Sequence, residues 1–333
     1  MRTRIFKMGL LAIAFSLSMM VTGTSFAAEL KRFTIGCGPV GGPARVYCGP
    51  AVTLFNDTFK DKYFLTHADT SGGVETLRRM YAKEFDTGIV HTNTSHDAWN
   101  GVGFFEGQKP FKELRLIAKV IDQAVCVATL AKLPIRKFMD MQGKRLAIGT
   151  PGSIGVSISR DIIKTFGLNV KQLNVGYEAA SQGLKDGQID VSMGPGGPYV
   201  PPAILEISRS TTIRLVEPAP EEISMVEKNI PYLHLGAIPP NKAPGENADK
   251  ERKAFFFAIW WVARAEMPDE AIYDMLKVTL EPKNKEMLGK VSSYWLTTGP
   301  DFGAMAKVGI PIHPGAVKYW KEQGAKLPSE LVK

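Results

Sequence analysis

Glycine-rich turns set between a short apolar run and an amphipathic segment are the pattern in this chain best suited to chemistry. Three occupy equivalent places: Gly36 to Gly42, Ser71-Gly72-Gly73, and Thr150 to Gly155. Such turns expose backbone N–H groups at a helix N-terminus, where carboxylates and phosphates bind. Gly194-Pro195-Gly196-Gly197-Pro198 adds a fourth such segment, read as a loop because proline interrupts a sheet. Together they point to a cleft that takes an anion. The first turn has the spacing G-x-G-x-x-G at Gly36, Gly38 and Gly41. No acidic residue suited to a ribose closes the second strand, so a dinucleotide is disfavoured.

Arg45 follows the first turn, and arginine grips a carboxylate through two parallel hydrogen bonds. On sequence it reads equally as a surface residue of the first helix. His91, His96 and Asp97 lie close together in VHTNTSHDAWNG. A His96-Asp97 acid–base pair with Ser71 or Ser153 as nucleophile would make a hydrolase, but no G-x-S-x-G elbow accompanies them. Loop residues capping the next helix are the simpler reading. Trp99 is suited to stack on a ligand or to fill the space under that loop.

The elements that must position these groups alternate. Phe33-Thr34-Ile35, Tyr63 to Ala68 and Thr87 to Val90 read as strands, and helical stripes follow at Val52–Phe59 and Val74–Tyr81. Leu114 to Val120 and Ala124 to Leu130 read as two further strands. A second strand–turn–helix unit starts at Lys144, with Ile158, Ile162 and Phe166 on one helical face. Ala179 to Lys185 and Ile189 to Met193 read as a short helix and a strand. Ala254 to Ala263 (AFFFAIWWVA) is too short to span a bilayer and suits a buried strand. Pro268-Asp269-Glu270 opens a helix that must stop before Pro282. The pattern is α/β, with two units and a cleft between them.

The N-terminus has the layout of a secretory signal peptide: Arg2, Arg4 and Lys7, an apolar run from Met8 to Val21, then Ser25-Phe26-Ala27. Cleavage after Ala27 would remove the three cations and take the formal charge from +8 to +5. Nothing concentrates that charge into a nucleic-acid patch. Three cysteines, Cys37, Cys48 and Cys126, leave at least one thiol unpaired. Export permits a Cys37–Cys48 disulfide, and two buried thiols are an equal reading. Cysteine spacing supports neither zinc nor thiol-redox chemistry.

Taken in order, these segments resemble the TAXI subfamily of solute-binding receptors for tripartite ATP-independent periplasmic (TRAP) transporters. Thr34-Ile35-Gly36-Cys37-Gly38 opens the match, and Ser71-Gly72-Gly73-Val74-Glu75-Thr76-Leu77 is similar to the family's GGSVENL. Phe85 to Val90 followed by His96-Asp97-Ala98-Trp99-Asn100-Gly101 resembles a stretch ending in YDAYNG. Gly149-Thr150-Pro151-Gly152-Ser153, Leu184 to Asp190 (LxDGxID) and Ile310 to Ala316 (IPLHPGA) complete it. The resemblance implies a two-lobed periplasmic-binding-protein fold (type II-like), with hinge strands and an interdomain ligand cleft. Residues 1–27 would be the signal peptide, 28–125 the first part of lobe I, 126–253 lobe II, and 254–333 a hinge strand and the return to lobe I. It implies a soluble, monomeric periplasmic receptor without catalysis, cofactor or metal. That receptor captures a carboxylate or amino acid and hands it to an integral-membrane TRAP partner. Docking to a membrane sensor kinase is the alternative.

The ligand-site expectation rests on Cys37, Gly38, Arg45, Ser71, Gly72, Gly73, Thr92, Asn93, Trp99, Ser153, Ile154, Gly155 and Gly196. The chain departs from the family there. Ala44-Arg45 replaces a Tyr-Tyr pair, Ser153-Ile154-Gly155 replaces SGT, and His91-Thr92-Asn93 stands where Gln and Asp are common. Ligand identity therefore does not transfer. Arg45 is expected to bias the pocket toward dicarboxylates or aromatic acids.

Overall fold

The computed structural model describes residues 30–40, 43–151 and 153–332. The expected signal peptide lies outside the described residues, as do Gly41, Gly42 and Gly152.

Two strands organise everything else. β10 (Arg252–Arg264) is the aromatic segment, and it lies antiparallel beside β4 (Leu114–Leu130). Neither alternates apolar with polar, because both faces of each are covered. Their side chains still obey the strand period of two. Phe255 and Phe257 enter one apolar cluster while Ala254 and Phe256 enter another. In β4, Val125 and Val127 join the first cluster, and Ala124, Cys126 and Ala128 the second.

Each central strand carries one α/β half. On the β10 side, β3 (Thr87–His91) docks antiparallel to β10 and is followed by β1 (Lys31–Gly36) and β2 (Tyr63–Ala68), all three mutually parallel. On the β4 side, β7 (Val191–Gly196) docks antiparallel to β4, then β5 (Arg145–Ala147) and β6 (Lys171–Leu173) follow in parallel. β8 (Ile213–Leu215) pairs with β4 and β9 (His234–Ile238) with β10, completing a ten-stranded sheet.

Helices follow the parallel strands as their patterns require: α1 (Pro43–Thr58), α2 (Gly73–Tyr81), α3 (Thr92–Asn100), α4 (Ile154–Thr165) and α5 (Tyr177–Lys185). α6 (Pro202–Ile207) and α7 (Pro220–Asn229) complete the β4-side half, and α8 (Asp269–Leu280) leads the C-terminal series. α9 (Pro282–Val291), α10 (Tyr294–Thr297), α11 (Phe302–Val308) and α12 (Pro314–Glu322) return the chain to the first half. The Tyr47 and Trp295 rings stack at 4.0 Å, and the Trp295 indole donates to Tyr47 O at 3.0 Å. Trp320 donates to Ile117 O, also at 3.0 Å.

Three expectations change. The segments 114–120 and 124–130 are one unbroken strand, because Ile121 to Gln123 keep pairing with β10 although they are only half-buried. VHTNTSHDAWNG is strand end and helix, not loop. Thr94 Oγ1 and Ser95 Oγ donate back to His91 O (2.9 and 3.0 Å), so hydroxyls close the first turn of α3. β7 continues through Gly194-Pro195-Gly196. Pro195 O accepts from Tyr177 Oη at 2.6 Å, which places that residue's N and O on the side away from β4. A proline costs no ladder bond there.

The β3–β10 junction is also held by side chains. Thr87 Oγ1 donates to Val262 O (2.6 Å) and accepts from Trp261 Nε1 (2.8 Å), all of it buried. Thr87→Val keeps the shape but strands a buried indole N–H. It is expected to cost about 1–3 kcal/mol, read as a lower urea midpoint with an unchanged m-value.

Candidate ligand cleft

The C-terminal ends of β1, β3 and β5 point toward one region, where the strand order reverses around the central pair. Open α/β sheets place their ligands at such a switch point. A cleft of about 370 Å³ lies there. The first half contributes Gly38 and Pro39 after β1, Pro43 and Ala44 at the start of α1, and the Ser71-Gly72-Gly73 turn that opens α2. Ile89 and His91 come from β3, and Thr94 from α3. The second half contributes Ser153 and Ile154 at the start of α4. Gln123 of β4 and Ile259 of β10 supply part of the wall between the two, and Tyr294 arrives from the C-terminal return.

A second chamber of about 300 Å³ adjoins it and shares Ser153 and Ile154. Gly149, Thr150 and Gly155 line it together with the first residues of α5, Tyr177 and Glu178. Two helices of the second half, α4 and α5, therefore start at this chamber, and α1 and α2 of the first half start at the cleft. Their first-turn N–H groups have no partner within the helix, and the dipole adds positive potential. At Gly72 the backbone has φ +146° and an added Cβ would meet nothing, so conformation rather than crowding demands glycine.

The ionisable side chains are few. Glu75 Oε2 accepts from both Ser71 N and Ser71 Oγ at 2.7 Å, and those bonds hold its carboxyl below the usual range. Glu178 lies on the second chamber. Burial pushes the His91 imidazole down to about 4, so it meets the cleft neutral at pH 7. Among the described residues, neither chamber is lined by a lysine or arginine.

The structure thus brings Gly38, Ser71, Gly72, Gly73, Ser153 and Ile154 to one cleft and Gly155 to its neighbour. Other expected residues lie off these walls. Arg45 turns aside, its Nε donating to Asp69 Oδ1 at 2.7 Å. Thr92 closes the β3–β10 ladder instead, its hydroxyl donating to Ala258 O (2.7 Å) and accepting from Ala258 N (2.9 Å). Asn93 is fully buried, with neither amide atom bonded to protein. The Trp99 ring lies under Lys112 Nζ, 4.3 Å from its centroid. Cys37 is buried, and Gly196 pairs with Ala124 in the sheet, where a Cβ would meet Tyr199 O at 2.5 Å.

His96 and Asp97 approach at 3.4 Å, but they face another cavity, of about 590 Å³, with Asp161 and Tyr232. Ser71 and Ser153 are not on it, so the triad considered from sequence is not assembled. Gln123, Ile259 and Tyr294 were missed. Gln123 falls in the break that the sequence leaves between two strands, and nothing local marks Tyr294.

Two α/β halves on a shared sheet, with a cleft where helix N-termini meet, define the two-lobed class of periplasmic binding proteins, type II-like. The chain belongs to the NMT1-like family, whose sequence profile matches residues 35–324. Solved structures agree on the fold at low identity. XAC2383 from Xanthomonas citri, bound to ATP, has a TM-score of 0.55 at 10% identity, covering 88% of this chain and 98% of that one. A putative periplasmic sulfonate-binding protein, SsuA of Methylobacillus flagellatus KT, has a TM-score of 0.53 at 13% identity, covering 92% of each. No helix among the described residues is long and apolar enough to cross a membrane.

The His91 shift gives a signed expectation. The folded state refuses a proton that the unfolded chain binds at its ordinary value near 6.5. Stability from this group is full above pH 6.5 and is lost as pH falls toward about 4, by on the order of 3 kcal/mol. Denaturation at several pH values should show a shallower acid loss in His91→Gln than in the parent; equal slopes would clear His91.

Proposed function

We propose that this protein is an exported solute receptor that closes its two lobes on a small carboxylate compound. One observation carries the reading: the cleft lies between two halves and collects the N-termini of α2 and α4 from opposite sides. A ligand bridging those turns would favour the closed state, which is how such a protein binds without catalysis. Lobe I would comprise residues 28–125 with 254–333, and lobe II residues 126–253. The ordered motifs from Thr34 to Ala316 support a TAXI-type receptor working with an integral-membrane TRAP partner.

The lining refines the ligand. With no cationic side chain among the described lining residues, backbone N–H groups would hold the carboxylate. Glu75 and Glu178 would repel a second carboxylate and welcome an ammonium group. An amino acid therefore fits better than the dicarboxylate that Arg45 suggested.

A thermal-shift panel of amino acids, dicarboxylates, keto acids, aromatic acids and sulfonates tests this, since a ligand of the native state raises the melting temperature. Amino acids should give the largest shift; a preference for dicarboxylates would reject the refinement. Silence across the panel, with nothing small released on denaturation, would reject the receptor. Ser153→Asp adds an anion at a helix N-cap, where aspartate is well tolerated. It should leave folding intact and weaken carboxylate binding roughly tenfold or more, a Coulomb effect across a few ångströms. Unchanged affinity would move the carboxylate away from α4.

A further inference from the structure

Several polar side chains on the cleft wall are already committed. The Ser71 hydroxyl donates to Glu75, and the Thr94 hydroxyl donates to His91 O. Much of the remaining lining is apolar: Val74, Ile89, Phe104, Ile154 and Ile259. Gln123 and Tyr294 differ from both groups. They reach one cleft from segments far apart in the chain, and their polar ends converge. A Cβ added at Gly197, just past β7, would lie 3.0 Å from Gln123 Nε2 and 3.9 Å from Tyr294 Oη. Gly197 is exposed and the other two are half-buried, so they meet at a place open to solvent rather than inside a core. The pair is also held in position. α10 is fastened to β4, the strand that carries Gln123. Thr297 Oγ1 donates to Val120 O at 2.9 Å, and Lys119 and Gly299 exchange backbone bonds at 2.8 and 2.9 Å. Burial raises the Tyr294 phenol, which therefore stays protonated at neutral pH.

We propose that Gln123 and Tyr294 determine the specificity of the cleft by bonding an uncharged polar group at the end of the ligand's side chain. The substrate class is then a neutral amino acid with a hydrogen-bonding tip, such as an amide or a phenol. This rests on the amino-acid receptor reading above and names the side chain that it leaves open. An amide has two donors and an acceptor, and a phenol has one donor and an acceptor. A bond between the two still leaves donors and an acceptor for a third group. Neither is charged, so a charged tip would give up its water without gaining an opposite charge from them. The helix N-termini hold the carboxylate, the apolar wall takes the stem, and the pair reads the far end. A site arranged in this way rejects an analogue of similar shape that lacks the polar group, because its own polar atoms then lose their partner.

Two matched pairs of probes test this: L-tyrosine with L-phenylalanine, and L-glutamine with L-methionine. Each is titrated calorimetrically into the purified protein after exhaustive dialysis, with L-glutamate and L-lysine alongside. In at least one pair the polar-tipped member should bind roughly tenfold or more tightly than its partner. Tyr294→Phe and Gln123→Met preserve side-chain size, and either should shrink that preference severalfold, chiefly by weakening the polar member. The parent's preference is read without any variant, so misfolding of one variant leaves the test intact. Apolar members that bind as tightly as the polar ones, tighter binding of glutamate or lysine than of any neutral probe, or a preference that both folded variants retain would each overturn the role of the pair. In those three cases an amino acid still binds, and the receptor reading stands. Binding of none of the six would overturn the pair and the amino-acid reading beneath it.

Discussion

The antiparallel contact between β4 and β10 is the constraint on which the remaining structure depends. Both strands are long and almost wholly enclosed, and each carries three parallel strands outward on its far side. A one-residue slip of either would exchange its two apolar sets, moving Phe256 into the cluster of Phe255 and Phe257. Register is therefore fixed by two cores at once. The ladder nevertheless carries two register shifts, opposite Ile259/Trp260 and opposite Trp261/Val262, and at each the extra residue lies in β4, Val120 and Ile117. Such irregularities bend a strand and raise its local twist. Ile259 and, on β4, Gln123 face the cleft beside them. The strands that join the halves thus also form part of the wall between them.

That arrangement decides how charge is handled in the cleft. Parallel strands send their following helices away from the C-terminal edge, so α2 and α4 start there. Their dipoles supply positive potential without a side chain. Ionisable groups nearby are tied down or discharged. Ser71 takes up one oxygen of Glu75, and desolvation keeps His91 neutral. Arg45, the cation closest to the first turn in sequence, is spent on Asp69. For the carboxylate proposed above, backbone donors fixed by the helices that present them would need little reorganisation on binding.

Polar side chains are likewise used where the ladder runs out. β3 ends at His91, and the Thr92 hydroxyl both donates to and accepts from Ala258 where a backbone partner would otherwise stand. Thr87 does similar work five residues earlier in β3, tying Val262 O and the Trp261 indole together. Buried polar groups require such partners. This accounts for the threonine that opens α3 and for Thr94 and Ser95, which bond back to His91 O, all of them buried.

Much of this was written in short stretches of sequence. The aromatic run at 254–263, the glycine turns, and the helical stripes at 74–81 and 154–165 all have local causes: periodicity, φ above zero and the charge at helix ends. They suffice for an α/β chain with helix N-termini collected at one place. Other features had no local signature. A helix with a buried polar start looks like a loop, and a proline looks like a strand's end until its missing N–H is seen to face away from the ladder. Arg45 looked like an anion ligand until Asp69 was beside it, and Tyr294 reached the cleft from a segment far along the chain. Backbone geometry depends on neighbours within a few residues, so the sequence determined the elements and the kind of donor they present. Which side chains face the cleft depends on packing between segments hundreds of positions apart, and that only the tertiary structure decided.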